Sequence, residues 1–258
     1  MRVCAVQMAH GDPFDANLAH AREMLDRAAA GGAHVALLPE YFFAALPGGG
    51  AASGRGAEDV HALLREASVR HGMVVAGNVV ERAGDGFANV GIVYERGRLV
   101  LAQSKVHPMP REAAAGVVGG MSLRPAQVDG RSVGMLVCAD ILYPEASQVL
   151  ALQGAEFLLN PVMSPWRAED DGREARVALY VARAYDARAF VVKAGGFKRD
   201  VIAGRSLVTA PWGVLARAKD DFEEELLFAD LDFVKLASFR EKQAAFPARR
   251  PDAYDGLV

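Results

Sequence analysis

Long hydrophobic runs are absent from this 258-residue chain. No apolar stretch approaches the ~20 residues that cross a bilayer as a helix, so nothing calls for a membrane. Cysteine is scarce. Cys4 and Cys138 alone cannot make a disulfide framework in a chain this long, and Cys4, alternating within an apolar segment, reads as core. Charge of one sign is missing too. The 29 Lys and Arg nearly balance the 32 Asp and Glu, with the signs interspersed, so no basic block calls for nucleic acid and no acidic tail points to disorder. The opening Met1-Arg-Val-Cys-Ala-Val-Gln-Met8 has no h-region or cleavage site and reads as a short strand. The expectation is a soluble, cytoplasmic protein. Cofactor signatures are likewise lacking. No Gly-x-Gly-x-x-Gly joins a first strand to a helix, no P-loop occurs, and no His/Cys/Asp cluster has metal spacing. The expectation is therefore no cofactor and no metal.

Apolar residues, at 52% of the chain, are ample for a large core, and no linker divides it, so residues 1–258 read as one domain. The strand Arg2–Met8 is followed by a helix from Asp15 to Ala30, with Leu18, Ala21, Leu25 and Ala28 on one face and Gly31-Gly32 as its stop. His34-Val-Ala-Leu-Leu-Pro39-Glu40 is a buried strand that delivers a carboxylate at its end. Leu46 to Gly56 is a small-residue loop, Ala57–His71 a helix and Met73–Glu81 a strand. Asn89–Tyr94 and Arg98–Gln103 pair as a hairpin about Glu95-Arg-Gly97. In Ser104-Lys105-Val-His107-Pro-Met-Pro-Arg-Glu112 the two prolines argue against regular structure. Later come strands at Glu156–Pro161, Phe190–Ala194, Ser206–Ala210, Gly213–Arg217 and Glu225–Asp232, and helices at Ala175–Arg188 and Phe233–Glu241. Gly32-Ala-His-Val-Ala-Leu-Leu-Pro39 is echoed by Gly154-Ala-Glu-Phe-Leu-Leu-Asn-Pro161, each after a helix, as in a pair of βα layers. Strands alternating with helices, some with period-two patterning and some continuously apolar, fit two stacked mixed sheets between helix layers better than one open sheet.

The chemistry centres on Ser132-Val-Gly-Met-Leu-Val-Cys138-Ala-Asp140-Ile-Leu-Tyr-Pro144-Glu145. An apolar strand ends in a thiol, and Pro144 and Glu145 suit the start of a helix running to about Gly154. A thiol at such a junction is presented beside free backbone N–H groups, as a nucleophile needs. Taken alone, Cys138 reads first as a buried inert cysteine and Lys105 first as an exposed loop lysine, while Glu40 is equally a carboxylate leaving the core. His107, between Lys105 and the prolines, reads as structural.

Taken together, Pro39-Glu40, Lys105-x-His107-Pro108 and Cys138-x-Asp140-x-x-Tyr-Pro-Glu145 resemble, in order and spacing, the signature of the nitrilase (carbon–nitrogen hydrolase) superfamily. The likeness extends through Ala5-Val-Gln7 and Asn17-Leu18 near the start, Gly204-Arg-Ser206 to Gly213 late in the chain, and Arg249-Arg-Pro-Asp-Ala-Tyr254 at its end. It implies a four-layer αββα sandwich and a catalytic triad of Glu40, Lys105 and Cys138, with Glu112 as a second glutamate. Lys105 and the N–H of Ala139 would hold the oxyanion, and Leu142, Tyr143 and Trp166 would line the substrate pocket. The implied partners are a small-molecule amide-type substrate and further copies of the chain, as a homodimer or larger homo-oligomer. Departures concern the substrate side: Leu142 stands where many relatives have Arg, Arg183-Ala-Tyr-Asp186-Ala187 replaces Arg-Ala-x-Glu-Asn, and Gly195 replaces a frequent Asn. The expected activity is hydrolysis of an amide or carbamoyl C–N bond through a thioester. Nitrile hydrolysis, or a catalytically silent binding protein on the same fold, is the alternative. With Leu142 offering no donor, neutral amides are expected to be preferred to carboxylate-bearing substrates unless Arg111, Arg167 or Lys193 turns inward.

Overall fold

The structure is a computed structural model, and residues 1–11, 13–44, 56–166, 172–243 and 249–253 are described. In chain order the elements are β1 (Arg2–Ala9), α1 (Phe14–Ala30), β2 (Val35–Leu37), α2 (Ala57–His71), β3 (Val74–Ala83), β4 (Gly86–Glu95), β5 (Arg98–Ser104), α3 (Pro110–Ala114), β6 (Ala126–Val128) and β7 (Arg131–Met135). A 3₁₀ turn (Cys138–Leu142) leads into α4 (Pro144–Leu152), β8 (Phe157–Val162), β9 (Ser164–Pro165), α5 (Arg173–Ala187), β10 (Phe190–Phe197), β11 (Ile202–Ala203), β12 (Leu207–Ala210), β13 (Gly213–Arg217), β14 (Glu225–Asp230) and α6 (Phe233–Lys242).

Twelve of the strands build two mixed sheets, and β9 and β11 pair separately. One runs β5-β4-β3-β2-β1-β14, with β1, β2 and β3 parallel. The other runs β6-β7-β8-β10-β12-β13, with β7, β8 and β10 parallel. They are joined where Met8 and Ala9, at the end of β1, pair in parallel with Gly196 and Phe197 at the end of β10. Three apolar clusters fill the layers between. Val6, Met24, Leu64 and Val75 pack α1 and α2 onto the first sheet; Val35, Leu37, Met135, Phe157 and Val192 pack the two sheets together; Leu136, Leu150, Leu158 and Ala184 pack α4 and α5 onto the second sheet. Period-two alternation sends successive residues of one strand into different layers. In β10, Phe190 and Val192 face the other sheet while Val191 faces the helices. The result is the expected αββα sandwich. The echoed segments occupy matching places, β2 between β1 and β3, and β8 between β7 and β10. The sheets approach closely enough at Gly91 that a β-carbon there would stand 2.4 Å from Met135 Cγ.

Several expectations need correction. β3 does not stop near Glu81: it pairs antiparallel with a full-length β4 through Ala83 and Gly86. The two-residue connection Gly84-Asp85, with Gly84 at φ +59°, supplies the tight turn. The prolines after His107 do not exclude a helix, because Pro110 takes the first position of α3, where its missing N–H costs nothing. The strand before Cys138 ends at Met135, and the thiol opens the 3₁₀ turn instead of closing the strand. Most of the Leu46–Gly56 loop, and the tail other than residues 249–253, lie outside the described residues.

Candidate active site

β2 ends at Leu37, and Pro39 carries the chain out with Glu40 at its tip. β5 ends at Ser104 and hands over to Lys105, whose amide donates to Asn89 O (2.7 Å) on the neighbouring strand β4. Both residues are buried, at 1% exposure each. Lys105 Nζ donates to Glu40 Oε1 (2.8 Å) and to Glu112 Oε2 (2.7 Å). Asn89 Nδ2 donates to Glu40 Oε1 (2.9 Å) and Glu112 Oε1 (3.0 Å). Glu40 Oε2 accepts the amide of Met163 (3.1 Å), while Glu112 also accepts Tyr41 Oη (2.7 Å) and the Met109 amide (2.7 Å). Asn78 completes the set, donating to Asn89 Oδ1 (2.8 Å) and accepting the Tyr41 amide (2.7 Å).

These partners divide the two carboxylates. Burial raises the Glu40 pKa and Glu112 adds to the rise, which Lys105 only partly offsets. Burial acts on Glu112 in the same direction, but Lys105, the Met109 amide and Tyr41 outweigh it and hold Glu112 below the usual carboxylate range. Burial alone depresses Lys105, yet Glu40, Cys138 and Glu112 together hold its ammonium above the ordinary lysine value. The two carboxylates are thus driven apart, Glu112 toward the ionised form beside Lys105 and Glu40 toward holding a proton more readily.

Cys138 is half-buried, with Sγ 3.9 Å from Met163 O. Burial and then Glu40 push its thiol above the ordinary value, while Lys105 pulls it down. Its backbone is left-handed, φ +47°, a conformation that costs a non-glycine residue about 1–3 kcal/mol. Tyr41, directly after Glu40, is left-handed as well (φ +55°). The turn at Cys138 is pinned from several sides. Buried Asp140 accepts the amides of Val106 (3.1 Å), His107 (2.9 Å) and Val137 (3.1 Å), and its Oδ1 lies 2.9 Å from His107 Nδ1. Arg183 on α5 donates to Ile141 O (2.9 Å) and Leu142 O (3.0 Å). Asn160 on β8 donates to Leu136 O (2.5 Å) and Cys138 O (3.3 Å). Ala139 is buried within the turn, where the first N–H groups have no intrahelical acceptor.

Glu40, Lys105, Glu112 and Cys138 therefore meet in one site. The pocket candidates are less gathered. Leu142 and Tyr143 are 52% and 44% exposed, Tyr143 stacks on His107 (3.7 Å between centroids), and Trp166 meets Phe222 edge to face. His107 thus has the structural place its sequence context implied. Among the three basic candidates, Lys193 is buried with Nζ donating to Arg205 O (2.8 Å), Arg111 is exposed, and Arg167 lies outside the described residues. Gly195 has its own reason: a β-carbon there would lie 1.8 Å from Gly204 O. Tyr41, Asn78, Asn89, Asn160 and Tyr180 were missed. The only signal for them was polar side chains inside or next to buried apolar strands, as in Asn78 and Asn160.

A family model for carbon–nitrogen hydrolases matches residues 2–241, and the chain belongs to that family, within the nitrilase superfamily. It spans about half the length of the curated relatives it matches first: an N-carbamoylputrescine amidase of Solanum tuberosum is 29% identical over 154 residues, 54% of this chain and 51% of that one. An omega-amidase NIT2 of Danio rerio is 28% identical over 274 residues, 98% of this chain and 96% of its own. Two solved structures share the fold. A carbon–nitrogen hydrolase of Helicobacter pylori superposes with a TM-score of 0.88 at 22% identity, covering 100% of this chain and 98% of that one. An amidase of Nesterenkonia sp. AN1, with acrylamide added to its active-site cysteine, gives 0.82 at 22% identity with both chains fully covered.

Proposed function

We propose that the chain is a cysteine amidohydrolase that cleaves a non-peptide amide or carbamoyl C–N bond through a thioester on Cys138. The observation that carries this reading is the ammonium of Lys105 held between two buried carboxylates of opposite pKa tendency beside a thiol. Because the resting thiol lies above its ordinary value, the nucleophile is made during attack. Glu40 accepts the thiol proton as Sγ bonds to the carbonyl carbon. Lys105, kept charged by Glu112, and the Ala139 N–H stabilise the resulting oxyanion. Collapse breaks the C–N bond as protonated Glu40 returns the proton to the leaving nitrogen, releasing ammonia or an amine. Water, deprotonated by Glu40, then attacks the thioester carbon. Collapse breaks the C–S bond as Glu40 returns the proton to Sγ, releasing the acid and restoring the thiol. Glu112 never needs to change protonation state.

The named activities of the relatives, amidases in each case, support amide over nitrile hydrolysis. A silent binding protein on this fold would have no use for the buried charges, which are costly to desolvate. A cytoplasmic setting suits a reaction that needs a free thiol, and Cys4 and Cys138 are unpaired. Among the described residues no helix is long and apolar enough to cross a membrane. The experiment is ammonia release from primary amides, N-carbamoyl amino acids and nitriles, with Cys138→Ala as control. Turnover of an amide or carbamoyl compound by wild type alone supports the reading; turnover only of nitriles, or of none, overturns it.

A further inference from the structure

Asn160 reaches from β8 to the Cys138 turn, and its amide is fully committed. Nδ2 donates to Leu136 O (2.5 Å), just before the strained nucleophile turn, and to Cys138 O (3.3 Å), at its first residue. A side-chain amide can present donors to two carbonyls only if its oxygen points away, and that buried oxygen then needs a donor of its own. The donor is Tyr180 of α5, whose hydroxyl lies 2.6 Å from Asn160 Oδ1. Both residues are buried. Burial and then the nearby Cys138 hold the Tyr180 phenol well above its ordinary pKa, so it stays a donor. Tyr180 is itself fixed: Thr209 Oγ1 donates to its carbonyl (3.3 Å), and Lys193 Nζ stands 5.4 Å from its ring centroid. Among the described residues no other donor reaches Asn160 Oδ1, and rotation of the amide would set that oxygen against the two carbonyls.

Resting on the reading of Cys138 as nucleophile, we infer that Tyr180 is a positioning residue that acts through Asn160 to hold the Cys138 carbonyl, and with it the left-handed turn that aims Sγ. Among the described residues neither side chain makes a hydrogen bond to Glu40, Lys105 or Glu112, so the hydrogen-bonded route from Tyr180 to the site runs through the nucleophile turn.

The test compares wild type, Tyr180→Phe, Asn160→Leu and the double variant. It measures the rate of Cys138 alkylation by iodoacetamide, kcat and KM for a hydrolysed amide, and Tm. Tyr180→Phe is expected to slow alkylation and lower kcat in parallel by about tenfold or more, with KM within about twofold. In the Asn160→Leu background it should add less than about twofold, because the hydroxyl then has nothing to orient. An unchanged alkylation rate in Tyr180→Phe, or an equal slowing in both backgrounds, overturns the inference. Tyr180→Phe differs only by one oxygen and decides the matter even if Asn160→Leu fails to fold. A wild-type Cys138 that reacts no faster than buried Cys4 would instead defeat the amidohydrolase reading itself. Fast wild-type reaction with no effect of Tyr180→Phe defeats only this inference.

Discussion

Glu40 and Glu112 hold the same two donors between them: the Lys105 ammonium, at 2.8 and 2.7 Å, and the Asn89 amide, at 2.9 and 3.0 Å. Their remaining partners separate them. Glu112 accepts a phenol and a backbone amide as well, whereas the second oxygen of Glu40 accepts the Met163 amide and the Cys138 thiol also acts on Glu40. Two carboxylates in one buried site thereby acquire opposite pKa tendencies.

The pH profile of kcat/KM should show this division. Glu40 must be ionised to accept the thiol proton, and its pKa is raised above 4.5, so activity falls as pH drops through a midpoint above that value. Glu112 contributes to the rise, so Glu112→Gln should move the acid limb to lower pH while lowering kcat. A limb that moves to higher pH contradicts the assignment.

Removing Lys105 should be costly in two separable ways. Lys105→Met takes away an oxyanion donor, worth about 10²–10³ in kcat. It also leaves two buried carboxylates with no cation, which should destabilise the fold by about 3–5 kcal/mol in urea denaturation. Cys138→Ala, a small change at a half-buried turn, should abolish turnover with little loss of stability. Equal stability of the two variants would contradict the role given to the ammonium.

Asn89→Leu should lower kcat and cost about 1–3 kcal/mol, because one amide serves both carboxylates and Asn78 is left without its acceptor. Asn89→Leu with wild-type stability and turnover would show that the shared amide does nothing.

Much of this was legible beforehand. Glu40, Lys105 and Cys138 each follow an apolar run, which is where a parallel sheet delivers polar groups to one end. The layer order followed from strands with two kinds of patterning. The rest was hidden for physical reasons. Pro110 looks like a helix breaker unless its place as a first helical residue is known, so α3 and the anchoring of Glu112 were missed. The β3–β4 hairpin ends in exposed Arg82 and half-exposed Ala83, where apolar alternation fades. Asn89, Asn160 and Tyr180 sit among apolar neighbours, and their partners lie 11 to 49 residues away, beyond any local pattern.

Association of copies is expected from the surface. Leu142, Tyr143, Val149 and Leu152 are exposed in and around α4, with Tyr185 on α5. Light scattering at micromolar concentration should give a dimer or larger mass; a monomer would contradict the expectation.

Substrate charge is the next discriminator. Leu142 has no donor, and Lys193 is committed to Arg205 O beneath the helix layer, its pKa lowered to about 7 by burial and by Arg176 and Arg205. An aliphatic amide should therefore show a higher kcat/KM than a matched N-carbamoyl amino acid. The reverse preference would direct attention to Arg111 and Arg167.

The most direct test of the central claim is the mass of the peptide carrying Cys138, taken by rapid quench during turnover of an amide that releases ammonia. Wild type should carry the acyl group of that amide on Cys138, and Cys138→Ala should show neither the adduct nor ammonia. Ammonia release by Cys138→Ala at the wild-type rate would contradict the account.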